Sequence, residues 1–228
     1  MRKTVLLMIA LGMIYVQTLS SQWTVGGKVS VISNQVVAES GATNLNGIIK
    51  PTTGYDLGVF ANYNLTDTWS LQSELNYKRT GLRLSEGTSF EVGFFNIPLG
   101  ATVDVSTSYL EVPLLLGYQH DFGGVQAYLR GGPSLSYALE GSVTSTANTI
   151  IDVTINESDL NFSSDTYQRW VMGGAAAAGL SYPISGDLVL SGEVRYTGDF
   201  GSSVEVPIVD VGVRNRGWRI GMGLAKKF

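Results

Sequence analysis

The sequence predicts an all-β fold, an eight-stranded antiparallel up-and-down transmembrane β-barrel (22–228) behind an N-terminal signal peptide (1–21). Three observations predict it. Apolar and polar residues alternate with period two through eight segments. The connections between those segments alternate between long and short, and aromatic residues of the apolar parity gather at both segment ends.

The signal peptide comes first. Arg2 and Lys3 precede an apolar core from Val5 to Val16, and Thr18, Ser20 and Ser21 supply small residues for cleavage after Ser20 or Ser21. That core of about a dozen residues is short of the ~18 a membrane helix needs, and no later run reaches that length. If the chain crosses a bilayer, it crosses as strands. Charged residues make up 15% of the chain, well below the ~25% usual for soluble domains. A net charge of −4 with no Lys/Arg-rich block gives no electrostatic footprint for nucleic acid. With no cysteine, disulfides, thiolate metal sites and an N-terminal lipid anchor are excluded.

The first strand is expected over Trp23 to Ile32, with Trp23, Val25, Val29 and Val31 on one face. In Tyr55 to Tyr63 the apolar set is Tyr55, Leu57, Val59, Ala61 and Tyr63. Trp69 to Tyr77 sets Trp69, Leu71, Leu75 and Tyr77 against Ser70, Gln72, Glu74 and Asn76. The parity continues through Leu110 to Tyr118, then Val125 to Tyr137, where Gln126, Arg130, Ser134 and Ser136 form the polar side. Met172 to Tyr182 makes a sixth strand with a small-residue inner face, and Leu188 to Tyr196 a seventh opposite Ser191, Glu193, Arg195 and Thr197. The eighth runs from Trp218 to Phe228. Its alternating end resembles the signal read by outer-membrane assembly machinery, although Lys226 departs from the pattern.

Asn34–Pro51, Arg83–Ser106, Gly141–Gln168 and Gly198–Gly217 are read as long outer connections. Asn64–Thr68, Asp121–Gly124 and Pro183–Asp187 are read as short periplasmic turns. Ser142 to Ile155 itself alternates and is expected to project as strand beyond the membrane. A soluble sandwich or lipocalin-like barrel alternates too, so aromatic placement carries the choice of solvent. Trp23, Tyr63, Trp69, Tyr118, Tyr182 and Phe228 fall at the short-turn end, and Tyr55, Tyr77, Tyr137, Trp170, Tyr196 and Trp218 at the other. Eight residues from Trp69 to Tyr77, at ~3.3 Å each and a tilt near 40°, span about 20 Å along the normal. Between these girdles the apolar parity carries essentially no charge, as a lipid-facing surface requires. The expected location is the bacterial outer membrane.

The strings Ser73-Glu74-Leu75-Asn76-Tyr77, Tyr109-Leu110-Glu111-Val112-Pro113-Leu114-Leu115-Leu116-Gly117-Tyr118, Tyr128-Leu129-Arg130-Gly131-Gly132-Pro133-Ser134 and Gly192-Glu193-Val194-Arg195-Tyr196 resemble the PorT-like outer-membrane β-barrel family of Bacteroidota. The likeness covers nearly all of Trp23 to Phe228. It implies an eight-stranded outer-membrane barrel, in a family where a link to protein secretion holds for only some members.

The candidate site is the set of inward-facing charges. Lys28, Glu74, Arg130, Glu193, Arg195 and Arg219 are expected near mid-barrel, with Asp56, Lys78 and Glu111 nearer the outer rim. An eight-stranded barrel has room inside for little more than side chains, so these charges should interlock as a structural ion-pair cluster. A solute path or proton relay is the alternative. The single histidine, His120, lies beside Asp121 at a short turn with no nucleophile suggested nearby. Glu86, Glu91 and Asp104 read as solvated loop charges. The expectation is thus a non-enzymatic barrel, without cofactor or metal, binding or scaffolding another envelope component through its long outer loops. Its expected partners are outer-membrane lipid and lipopolysaccharide, the barrel-assembly machinery and an envelope protein. A narrow porin-like channel and a lipid-modifying enzyme are the competing readings.

Overall fold

The computed structural model describes residues 22–38, 49–50, 52–92, 95–148, 153–159, 169–200, 204–206 and 211–228. The expected signal peptide at 1–21 lies outside them. Among the described residues eleven strands form one sheet: β1 (Trp23–Ala38), β2 (Ile49–Lys50), β3 (Thr52–Asn64), β4 (Trp69–Val92), β5 (Phe95–Asp121), β6 (Gln126–Asn148), β7 (Val153–Asp159), β8 (Trp170–Ser185), β9 (Leu188–Asp199), β10 (Val204–Val206) and β11 (Val211–Lys227). Eight of them make the wall, in the antiparallel order β1-β3-β4-β5-β6-β8-β9-β11. Pairing of β1 with β11, from Thr24↔Lys227 to Ala38↔Val213, closes it. Closure leaves no bare edge in the wall. The short β2, β7 and β10 pair with β4, β6 and β11.

The barrel is inside-out relative to a soluble protein. Leu57 is 59% exposed, Met172 64% and Ile220 66%, whereas Glu74 is 3% exposed, Arg195 1% and Arg219 2%. A sandwich or lipocalin would reverse those figures, so the alternation read from the sequence faces its apolar side outward. The girdles appear as aromatic pairs on adjacent strands. Trp23 meets Tyr63 at 4.8 Å between ring centroids, and Trp69 meets Tyr118 edge-on at 5.6 Å, at the short-turn end. Tyr137 meets Trp170 at 4.8 Å and Tyr196 meets Trp218 at 5.1 Å, at the other. Cross-strand aromatic contacts of this kind stabilise the ladder beyond their burial.

The first two short turns sit where the sequence places them, whereas the third narrows to 186–187 because β8 pairs with β9 through Ser185. In Asp121–Gly124, Asp121 Oδ1 accepts the Gly124 amide at 2.9 Å, while Gly123 and Gly124 adopt φ of 74° and 102°. Those angles lie in the left-handed region where a Cβ is disfavoured. Gly132 serves a different purpose: a Cβ there would run into the Leu114 carbonyl oxygen, so its absence lets β6 close against β5 beside Pro113.

The strands run farther than expected: β1 continues to Ala38 within Asn34–Pro51, and β11 begins at Val211 within Gly198–Gly217. Arg83–Ser106 is not a loop: β4 and β5 continue through it as a paired hairpin, from Gly81↔Ser106 to Val92↔Phe95. The β-branched Val103, Val105 and Thr107 favour extended backbone, and each cross-strand pair satisfies the polar groups a loop would leave to water. The projecting strand expected at Ser142–Ile155 is present as β6 up to Asn148 and β7 from Val153, paired with each other. A bulge between Ser108 and Tyr109 in the β5–β6 register leaves Leu139 without a register partner and reverses the parity beyond it, so that Glu140 faces outward beside Ser108.

Candidate functional site: the charged lumen

Polar residues of the inner parity meet across the barrel in two connected layers. The first is built on Glu74 of β4. Arg195 of β9 approaches it through both terminal nitrogens, at 2.8 Å to Oε2 and 2.6 Å to Oε1. Lys28 of β1 donates to Oε2 at 2.5 Å. Gln72 and Asn76, two residues either side of Glu74 and so on the same face, donate to Oε1 at 2.6 Å and to Oε2 at 2.9 Å. Arg195 Nε also donates to Glu193 Oε1 at 2.8 Å. Arg130 lies 3.6 Å from the other Glu193 oxygen, with its guanidinium 3.7 Å above the Tyr128 ring.

The second layer is built on Arg219 of β11. It donates to Asp56 Oδ2 of β3 at 3.1 Å and to Glu111 Oε2 of β5 at 2.7 Å. Lys78 reaches the same Glu111 oxygen at 2.8 Å and lies 5.0 Å from the centroid of the Tyr109 ring. In the closed order of eight, β4 faces β9 and β5 faces β11 from diametrically opposite positions. Arg195–Glu74 and Arg219–Glu111 therefore span the full width of the lumen. Leu115, fully buried, adds apolar bulk to the same interior.

The structure brings all seven candidate residues into contact with an opposite charge: Lys28, Glu74, Arg130, Glu193 and Arg195 in one layer, Glu111 and Arg219 in the other. One depth differs from expectation: Arg219 joins Asp56 and Glu111, on the side of the Glu74 group away from the short turns, and not the Glu74 group itself. Counting residues from the turns ignores the stagger between neighbouring strands. Sequence reasoning misses Tyr128 and Tyr109 as supports for Arg130 and Lys78; both fall on the inner parity, which is the signal that could have found them.

Within these two layers five cations, Lys28, Lys78, Arg130, Arg195 and Arg219, face four anions, Asp56, Glu74, Glu111 and Glu193, leaving one positive charge. The surplus belongs to the Glu74 layer. Below it, at the short-turn end, a polar vestibule of about 260 Å³ is lined by Asn62, Gln126, Ser181 and Ser191 and ends at Arg130 and Tyr128.

Other chemistry is sparse. Among the described residues no group of three or more His, Cys, Asp or Glu is placed to hold a metal. His120 is exposed at its turn and packs edge-on against Phe122 at 4.7 Å. Asp104 is bound by Arg83 at the far end of the barrel, whereas the side chains of Glu86 and Glu91 lie outside the described residues.

Comparison with known proteins agrees with this architecture. Pseudomonas aeruginosa OprG, an outer membrane protein, has a similar fold, with a TM-score of 0.54 at 15% identity over 91% of this chain and 96% of that one. Neisserial surface protein A gives 0.41 at 16% identity over 90% and 97%, and Ail, the attachment invasion locus protein of Yersinia pestis, 0.39 at 14% over 90% and 99%. No match was found among curated proteins. The family described as "Outer membrane protein beta-barrel domain" matches residues 15–203. With most of its length matched and an inside-out eight-stranded wall, the chain belongs to the outer membrane protein β-barrel domain family and resides in the outer membrane.

Proposed function

We propose that this protein is a closed, non-enzymatic scaffold that displays its long strand extensions to another component of the cell envelope. The observation that carries the reading is the pair of diametric bridges, Arg195–Glu74 and Arg219–Glu111, which occupy the lumen that a channel would need open. What remains for function is the far end of the barrel, where β4 and β5 run on together to Val92 and Phe95. A hairpin whose strands are paired presents a binding surface at less cost in ordering entropy than an unpaired loop. The motif strings around Tyr109–Tyr118 support a PorT-like placement within the wider family. Residues 1–21 are read as a signal peptide removed on export, and the mature mass from outer-membrane fractions should begin at Ser21 or Gln22.

Two measurements test the scaffold reading. Purified protein in planar bilayers is expected to pass no current, and a steady conductance would favour the channel. Replacing 86–101 by a two-residue turn should leave the barrel folded but abolish crosslinking to its envelope neighbour in intact cells. Unchanged crosslinks would count against the hairpin as the binding element.

A further inference from the structure

The lipid-facing parity of β4 is free of charge from Trp69 to Tyr77 and then carries two arginines, Arg79 and Arg83. Both are exposed on the outside of the barrel. Ten residues from Trp69 to Arg79, at ~3.3 Å each and a tilt near 40°, cover about 25 Å along the normal, the height of an outer-membrane apolar band. Arg79 therefore stands where hydrocarbon gives way to headgroups, and Tyr55 of the aromatic girdle is its register partner on β3. The arrangement recurs on β11, where exposed Arg216 lies two residues beyond Trp218.

Around Arg79 the outer wall is hollowed. A cavity of about 460 Å³ is lined by Thr53, Tyr55, Arg79, Arg83, Asp104 and Ser106, among others. Arg79 Nε donates to Ser106 Oγ at 3.0 Å, which holds the guanidinium against the strands. Among the described residues no carboxylate pairs with it. Arg83 is different, since its fork grips Asp104 at 2.5 and 3.2 Å. Two cations and one anion leave the cavity one positive charge, beside hydroxyl donors and above an apolar wall.

We propose that this cavity binds the phosphate of an outer-leaflet lipid headgroup, with the acyl chains lying along the uncharged face of β3 and β4 below. Guanidinium forks match phosphate oxygens in charge and geometry, and basic clefts at the membrane surface select anionic headgroups for that reason. Arg79 is the primary contact. Asp104 competes with the headgroup for Arg83 and so sets the affinity. The external leaflet follows from the long-strand end being the outer one.

The test uses the full mature barrel folded in detergent micelles and titrated with the phosphorylated lipid A moiety of lipopolysaccharide, followed by native mass spectrometry. Arg79→Gln is expected to weaken binding about fivefold, the scale of one lost charged contact at a membrane surface. Asp104→Asn, which frees the Arg83 fork, is expected to tighten it, a result that a purely structural role for the cluster would not give. Dephosphorylated lipid A should bind the unaltered barrel no better than the phosphorylated form binds Arg79→Gln. Wild-type affinity in Arg79→Gln, weakened binding in Asp104→Asn, or equal binding of the dephosphorylated lipid would overturn the proposal. Displacement of the lipid by an equal concentration of inorganic phosphate would also overturn it, by making this a free-phosphate site.

Discussion

Replacing Glu74 with alanine is expected to cost about 3–5 kcal/mol of folding free energy, the scale for breaking a buried ion pair from one side. Glu74 receives Lys28, Arg195, Gln72 and Asn76 together, so its loss takes from Lys28 the carboxylate it pairs with and leaves Arg195 only Glu193, inside a lumen closed to bulk water. Urea unfolding of the barrel in lipid vesicles, followed by tryptophan fluorescence, would show the loss. Exchanging Lys28, Glu74 and Arg195 together for methionine should recover much of it, because removing every charge also removes the desolvation penalty. Arg83→Ala at the exposed Arg83–Asp104 pair should cost no more than about 1 kcal/mol. If Glu74→Ala cost equally little, water would already solvate the cluster and the lumen would not be closed.

Leu75→Arg is expected to have the second largest effect. Leu75 is 46% exposed and lies close to midway along β4 between Trp69 and Arg79, facing what the fold makes hydrocarbon. An arginine at mid-depth costs about 2–4 kcal/mol in a bilayer, falling to about 0–1 near the interfaces. The same change at Leu65, exposed in the first short turn, should therefore be nearly neutral. The pair is best measured by reversible folding into vesicles. Equal costs at both positions would mean that Leu75 does not face the bilayer interior.

The wall is legible in the sequence because each strand repeats one physical requirement. Along β3, Tyr55, Leu57 and Val59 face outward and Asp56 and Gly58 inward, and that contrast survives in any register. The hairpin beyond Gly81 is harder to read. Gly87, Gly93, Pro98 and Gly100 look like turn chemistry, yet the residues between them can pair, and only the partner strand decides the outcome. The contacts of the lumen are the least legible. Glu74 and Arg195 are 121 residues apart and on strands that are not neighbours, so their meeting depends on how the whole sheet is sheared as it closes. Sequence shows that both point inward, but not which charge each one meets.

Pairing Thr24 with Lys227 has a consequence for biogenesis. The first strand cannot find its last partner until nearly the entire polypeptide has been delivered, so closure is necessarily a late event. Contacts this distant in sequence make folding slow. Until the seam zips, β1 and β11 each offer unpaired backbone groups to any passing strand. A chain built this way depends on something in the periplasm to shield those two margins while it waits.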